Sequence, residues 1–150
     1  MKLLIINGPN LNMLGIREPA IYGTATYQDL EKLVRLTCQN HHINHHMIQS
    51  NHEGVLIDAI GDAYGNYDAI IINPAAYTHT SIAILDALKA VGLPTVEVHL
   101  TDTKTREAFR HQSYVSQYAE STIMGKGING YTTAILYLKE KLSKKSKAGE

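Results

Sequence analysis

Leu3-Leu4-Ile5-Ile6 runs straight into Asn7-Gly8-Pro9-Asn10-Leu11-Asn12-Met13-Leu14-Gly15-Ile16-Arg17-Glu18-Pro19-Ala20-Ile21-Tyr22-Gly23, and this junction decides the fold. A short apolar run broken by Gly-Pro reads as a buried parallel strand emptying into a loop. A loop that only joined a strand to a helix would need about two to six residues. This one is far longer, carries Asn, Arg and Tyr, and has Gly and Pro at both ends to set its shape, so it is expected to work as well as connect.

The same unit recurs downstream. Thr26, with Asp29 three residues on, forms a partial capping box ahead of Leu30, Leu33, Val34 and Thr37 at helical spacing, and this helix is expected to end near His41. Ile43 to Gln49 is a weak second strand, and Asn51 is expected to cap a helix carrying Val55, Leu56, Ala59, Ile60 and Ala63 that stops at Gly65-Asn66. Ala69-Ile70-Ile71-Ile72 is the clearest strand and empties into Asn73-Pro74-Ala75-Ala76-Tyr77-Thr78-His79-Thr80. A third helix with Ile82, Leu85, Leu88 and Val91 is stopped by Gly92, and Pro94 to Val98 is a fourth strand. A short helical patch is expected at Arg106 to Arg110, a fifth strand at Ser121 to Met124, and a last helix through Tyr131, Ala134, Ile135, Leu138 and Leu142.

Strands apolar on both faces and alternating with helices predict an α/β fold, a doubly wound five-stranded parallel sheet in the flavodoxin-like order 2-1-3-4-5. The chain is expected to form a single domain over residues 1–142, followed by a flexible Lys- and Ser-rich tail at 143–150. In that order the loops after strands 1, 3 and 4 converge at one edge of the sheet, and they are the segments richest in titratable residues.

Fourteen basic residues balance fourteen acidic ones, so no global field favours nucleic acid or an anionic membrane. With neither a signal-peptide pattern nor an apolar run of about 18 residues, the chain reads as soluble and cytoplasmic. Cys38, the one cysteine, falls in a helical pattern and reads as a packing residue. His41, His42, His45 and His46 include no Cys or carboxylate, and no metal site is expected there. Gly125-Lys126-Gly127-Ile128-Asn129-Gly130 is a literal G-x-G-x-x-G, but only one helix follows it, so it reads as a tight turn with close helix packing.

The convergent loops bring Asn10, Arg17, Tyr22, Asn73, His79, Glu97, His99 and Thr101 together, with Arg106 and Arg110 able to share a face if their segment is helical. Ser81 has no G-x-S-x-G setting, and acid and base chemistry fits better than covalent catalysis. A Tyr serves as a base only if its pKa, ordinarily about 10, comes down, which a cation at about 4–6 Å achieves. Arg17 shares a loop with Tyr22, and Arg106 could add to its effect. His99 could be the matching acid, held by Glu97, because residues two apart on a strand face the same side. Two other classes share such a sheet: a flavodoxin-like electron carrier, which needs a Ser/Thr/Gly-rich first loop for a phosphate, and a non-catalytic binding or receiver-type module, which needs clustered acids after strand 1.

The loop N-G-P-N-L-N-x-L-G-x-R-E-P-x-x-Y-G, together with Gln49-Ser50-Asn51-His52-Glu53-Gly54, Asn73 to Ser81 and Glu97-Val98-His99-Leu100, resembles type II 3-dehydroquinate dehydratase in order and spacing from Leu3 to about Leu138. The resemblance implies dehydration of 3-dehydroquinate to 3-dehydroshikimate by anti elimination through an enolate, in the shikimate pathway or quinate catabolism, with no metal, imine or redox cofactor. It implies that Tyr22 is the base at carbon 2 with Arg17 beside it, that Asn10 holds a water at the enolate oxygen, and that His99, partnered by Glu97, protonates the leaving hydroxyl. Asn73, His79 and Arg110 would bind substrate hydroxyls, and the amides of Leu100 and Thr101 its carboxylate. Residues 17–23 would belong to a mobile lid. The resemblance also implies a homo-oligomer, a dodecamer of four trimers, with Asp86 reaching a neighbour's substrate. Thr101-Asp102 and Lys104-Thr105 depart from the pairs Ser-Asn and His-Ala common in the family, and Asp102 puts negative charge near the anion site.

Overall fold

A computed structural model describes residues 1–149. Five parallel strands, β1 (Lys2–Asn7), β2 (Asn44–Gln49), β3 (Ala69–Asn73), β4 (Thr95–His99) and β5 (Ser121–Met124), form one sheet in the order β2-β1-β3-β4-β5. The expected order and single domain are found. The switch point falls between β1 and β3, where consecutive connections leave for opposite faces and their loops part to open a crevice.

Alternation along β1 explains the two layers. Leu3 and Ile5 point into a core with Leu30 and Val34 of α2 (Tyr27–Asn40) and Tyr131, Ile135 and Leu138 of α5 (Asn129–Ala148). Leu4 and Ile6 point the other way, against Leu56 and Ile60 of α3 (Glu53–Asp62) and Ile84 and Leu88 of α4 (Ile82–Val91). Each of these fully buried aliphatic side chains contributes about 1.5–3 kcal/mol, so both helical layers are held to the sheet far more strongly than any loop.

Local signals set the helix ends. Thr26 and Asp29 form a complete capping box on α2. Ser81 Oγ accepts from the Ile84 amide at the start of α4, and Gly92, with φ 67°, closes its end. The remaining helix, α1 (Pro19–Tyr22), is a single turn inside the first loop, with Pro at its start and Gly23 at φ 83° behind it. The glycines of residues 125–130 serve packing as expected. Gly125 and Gly127 have positive φ, and a Cβ on Gly130 would stand 3.2 Å from Val98 and 3.4 Å from Ile123.

Two expectations are corrected. Asn51 does not cap α3: the cap position is His52, and the Asn51 side chain turns to the first loop instead. The Arg106–Arg110 patch is two short 3-10 turns, Thr103–Thr105 and Ala108–Arg110, with Arg106 extended between them. Helix α5 runs on to Ala148, with Ser143 bonded back to the Lys139 carbonyl and Lys144 paired with Glu140 one turn earlier. Glu150, the last residue of the expected tail, lies outside the described residues.

Candidate active site

At the carboxyl edge of the sheet the backbone is tied down at the loop roots. The Gly8 amide donates to the Asn73 carbonyl at 2.8 Å, so the ends of β1 and β3 stay in register. A Cβ on Gly8 would come within 2.5 Å of the Pro74 carbonyl oxygen, which is why only glycine fits. Asn10 (φ 67°) and Ala75 (φ 51°) hold left-handed conformations on either side of this junction. Such backbone costs about 1–3 kcal/mol at a residue other than glycine, and hydrogen bonds offset it. Asn51 Oδ1 accepts from the Asn10 amide, and Asn73 Oδ1 accepts from the Ala75 amide. Gln49 completes the brace by donating to the Gly8 carbonyl.

These roots frame a cavity of about 130 Å3. Asn10, Arg17 and Tyr22 line it from the loop after β1, Asn73 and His79 from β3 and the turn that follows, and His99, Leu100, Thr101, Arg106 and Arg110 from β4 onward. Glu97 stands behind His99, fully buried. Asp86, exposed on α4, does not line the cavity of its own chain. Lys104, in the loop after β4, is also exposed and outside the lining.

The Tyr22 hydroxyl accepts a 2.6 Å hydrogen bond from Arg106 Nη1. Arg17 sits over the Tyr22 ring face, 5.0 Å from its centroid, with Nε 3.5 Å from Glu18. Sequence reasoning put Arg17 first and Arg106 second; the structure makes Arg106 the direct partner of the oxygen. Two cations around one phenol place positive charge where a phenolate would form.

His99 Nε2 donates to Glu97 Oε1 at 2.5 Å. The same oxygen accepts from the hydroxyls of Thr78 at 2.6 Å and Ser113 at 2.8 Å, and Oε2 accepts from Thr122 at 3.3 Å. Burial alone would raise the Glu97 pKa. The hydrogen bond and charge of His99, with the two hydroxyls on Oε1, outweigh it and hold the carboxyl below its ordinary value. An ionised Glu97 only accepts, so the proton must sit on His99 Nε2, and Nδ1 is the nitrogen left to gain or lose one. Thr78, Ser113 and Thr122 are not among the site residues expected from the sequence. They belong to three separate segments, and no local pattern points from any of them to Glu97.

His79 Nδ1 donates to the Gln112 carbonyl at 2.6 Å, which fixes its ring and leaves Nε2 free. Arg110 is clamped by Glu107 at 2.8 Å. Among the described residues the cavity lining thus holds three guanidinium groups and no carboxylate, a setting for an anionic, hydroxyl-bearing ligand. Among the described residues, no group of three His, Cys, Asp or Glu side chains is placed to hold a metal ion, and no helix is long and apolar enough to cross a membrane.

Known proteins are similar to this chain. The chain is 51% identical over 134 residues, 89% of each chain, to a 3-dehydroquinate dehydratase 1 of Corynebacterium efficiens. It is 51% identical over 147 residues, 98% of this chain and 97% of the other, to a catabolic 3-dehydroquinase of Phaeosphaeria nodorum. The crystal structure of a type II dehydroquinase from Butyrivibrio crossotus superposes with a TM-score of 0.91 at 48% identity, covering 93% of this chain and 97% of that one. The model of the family described as dehydroquinase class II matches residues 1–139, every strand and all of the cavity included, and the chain belongs to that family.

Proposed function

We propose that this chain catalyses the dehydration of 3-dehydroquinate to 3-dehydroshikimate, and that Tyr22 and His99 carry its two proton transfers. Family membership supports the reaction. The observation that carries the roles is that one cavity holds a phenol bonded to a guanidinium and an imidazole bonded to a buried carboxylate. The Tyr22 phenolate takes a proton from carbon 2, and charge develops on the carbonyl oxygen as an enolate. Collapse of the enolate expels the carbon 1 hydroxyl, which leaves as water with the proton given up by His99. The ring gains one double bond, and the proton on Tyr22 returns to His99 through solvent before the next cycle. Asn10 would orient a water at the enolate oxygen. Asn73, His79 and Arg110 would hold substrate hydroxyls, and the amides of Leu100 and Thr101 the carboxylate.

The purified protein should convert 3-dehydroquinate with the rise in ultraviolet absorbance of a conjugated enone. Activity should survive a chelator and should not be trapped by borohydride. Chelator-sensitive or borohydride-trapped turnover would overturn the cofactor-free elimination.

Relatives carry both plain and catabolic names, and either pathway role fits the same chemistry. The reading includes a cytoplasmic dodecamer of four trimers, in which Asp86 completes a neighbour's site. Asp86 is exposed with no hydrogen-bond or ionic partner among the described residues, which suits a residue waiting for another subunit. Mixing Asp86→Ala chains with Tyr22→Phe chains under subunit exchange should give activity above the average of the two parents. Activity that stays at that average after verified exchange counts against the shared site.

A further inference from the structure

We propose that Ser113 is a positioning residue for the acid step, holding Glu97 as a carboxylate aimed at His99. This inference rests on the reading of His99 as the acid. Ser113 belongs to Gln112-Ser113-Tyr114, three consecutive residues that each grip the site from behind. The Gln112 carbonyl accepts from His79 Nδ1, the Ser113 hydroxyl donates to Glu97 Oε1, and the Tyr114 amide donates to the Thr78 carbonyl at 2.8 Å. One short strut therefore sets both a substrate-facing imidazole and the partner of the other.

Proton counting makes Ser113 more than a filler. Ser113 Oγ accepts from the Ser116 amide at 3.0 Å, and Thr78 Oγ1 lies 2.6 Å away. Thr78 gives its one hydroxyl proton to Glu97 Oε1, so the proton of Ser113 is also turned to that oxygen. With His99 Nε2, three donors converge on Oε1, whereas Oε2 receives only the longer bond from Thr122. Among the described residues His99 is the one titratable group in contact with Glu97; its other partners are the hydroxyls of Thr78 on the β3 side, Ser113, and Thr122 of β5. A carboxylate held by this many donors stays the acceptor of the His99 Nε2 bond and does not take that proton for itself.

Removing the Ser113 donor destabilises the carboxylate most when His99 is neutral and cannot compensate. The pair therefore keeps its last proton to higher pH. The test compares kcat, KM and pH profiles of wild type, Ser113→Ala, Ser113→Thr and His99→Asn, with melting temperatures alongside. Ser113→Ala should lower kcat by about tenfold, the weight of one hydrogen bond to a charged group, with KM little changed. The falling limb of its kcat profile should move to higher pH, and Ser113→Thr, which keeps the hydroxyl, should restore both. If Ser113→Ala does not fold, Thr78→Val deletes the neighbouring donor at constant shape and should move the limb the same way. A pH profile and kcat like wild type in Ser113→Ala, with His99→Asn inactive, overturns the role of Ser113 alone. A loss of kcat with an unmoved limb and a lower melting temperature also overturns it, in favour of a merely structural residue. Near-normal turnover in His99→Asn defeats the reading of His99 itself, and the role of Ser113 with it.

Discussion

His99 ends a strand whose residues are all buried, and its carboxylate partner is gripped by side chains from three other segments. Tyr22 ends a single helical turn in the middle of a long loop, with Glu18, Pro19, Ala20 and Ile21 exposed beside it, and among the described residues its hydroxyl has one partner, Arg106. The half proposed to supply the acid is part of the sheet; the half proposed to supply the base is laid over it. The difference follows from what each step requires. A general acid needs a fixed tautomer and a charged neighbour that does not move, which burial provides. A base on a loop covered by little apolar surface can open to admit a ring and close over it, since such segments sit at the low end of local stability.

The sharpest way to break the comparison is Tyr22→Phe. It deletes one oxygen from the loosely held half, so turnover should fall by about 10²–10⁴ while the melting temperature and assembly stay as in wild type. Near-normal turnover would rule out Tyr22 as the base. Next come the two cations. Arg106→Ala removes the donor to the phenol oxygen and should cost about 10²–10³ in kcat, as loss of a preorganised donor typically does. Arg17→Ala, which removes a cation from over the ring, should cost less. Kinetics of the two variants side by side check this ordering, and a larger loss in Arg17→Ala would return the main electrostatic role to Arg17.

Glu97 separates the halves by stability. Its folded pKa is held below the ordinary carboxyl value by His99 and the surrounding hydroxyls, so it contributes stability that is present above the unfolded carboxyl value and lost as pH falls through the folded one. Unfolding free energy measured from neutral to acid pH should drop across that range, and Glu97→Gln should flatten the drop while lowering stability at neutral pH. No such change is expected from Arg17→Ala or Tyr22→Phe. The smallest effect should come from ending the chain after Leu142. The helical turns removed are exposed and outside the cavity lining, and kcat and KM should match wild type.

Much of this was legible in the order of residues. Ala69 to Ile72 is apolar on both faces, which only a covered parallel strand tolerates, and Gly92 stops its helix where a left-handed residue is needed. The site residues could be gathered because parallel topology sends every strand-end loop to one edge. Asn51 was misread because a cap and a loop brace use the same side chain, and nothing local tells which amide it will meet. Arg106 was ranked behind Arg17 because chain proximity stands in for distance when distance is unknown, and 84 residues separate Arg106 from the oxygen it contacts.

The sequence by itself determined the sheet, its two helical layers and the edge at which chemistry gathers, because periodicity and turn residues are local properties read along the chain. Only the tertiary structure decided that Arg106 holds Tyr22 and that Thr78, Ser113 and Thr122 surround Glu97. Those contacts join segments far apart in the chain, and a hydroxyl acquires its partner only when folding brings a buried charge within reach.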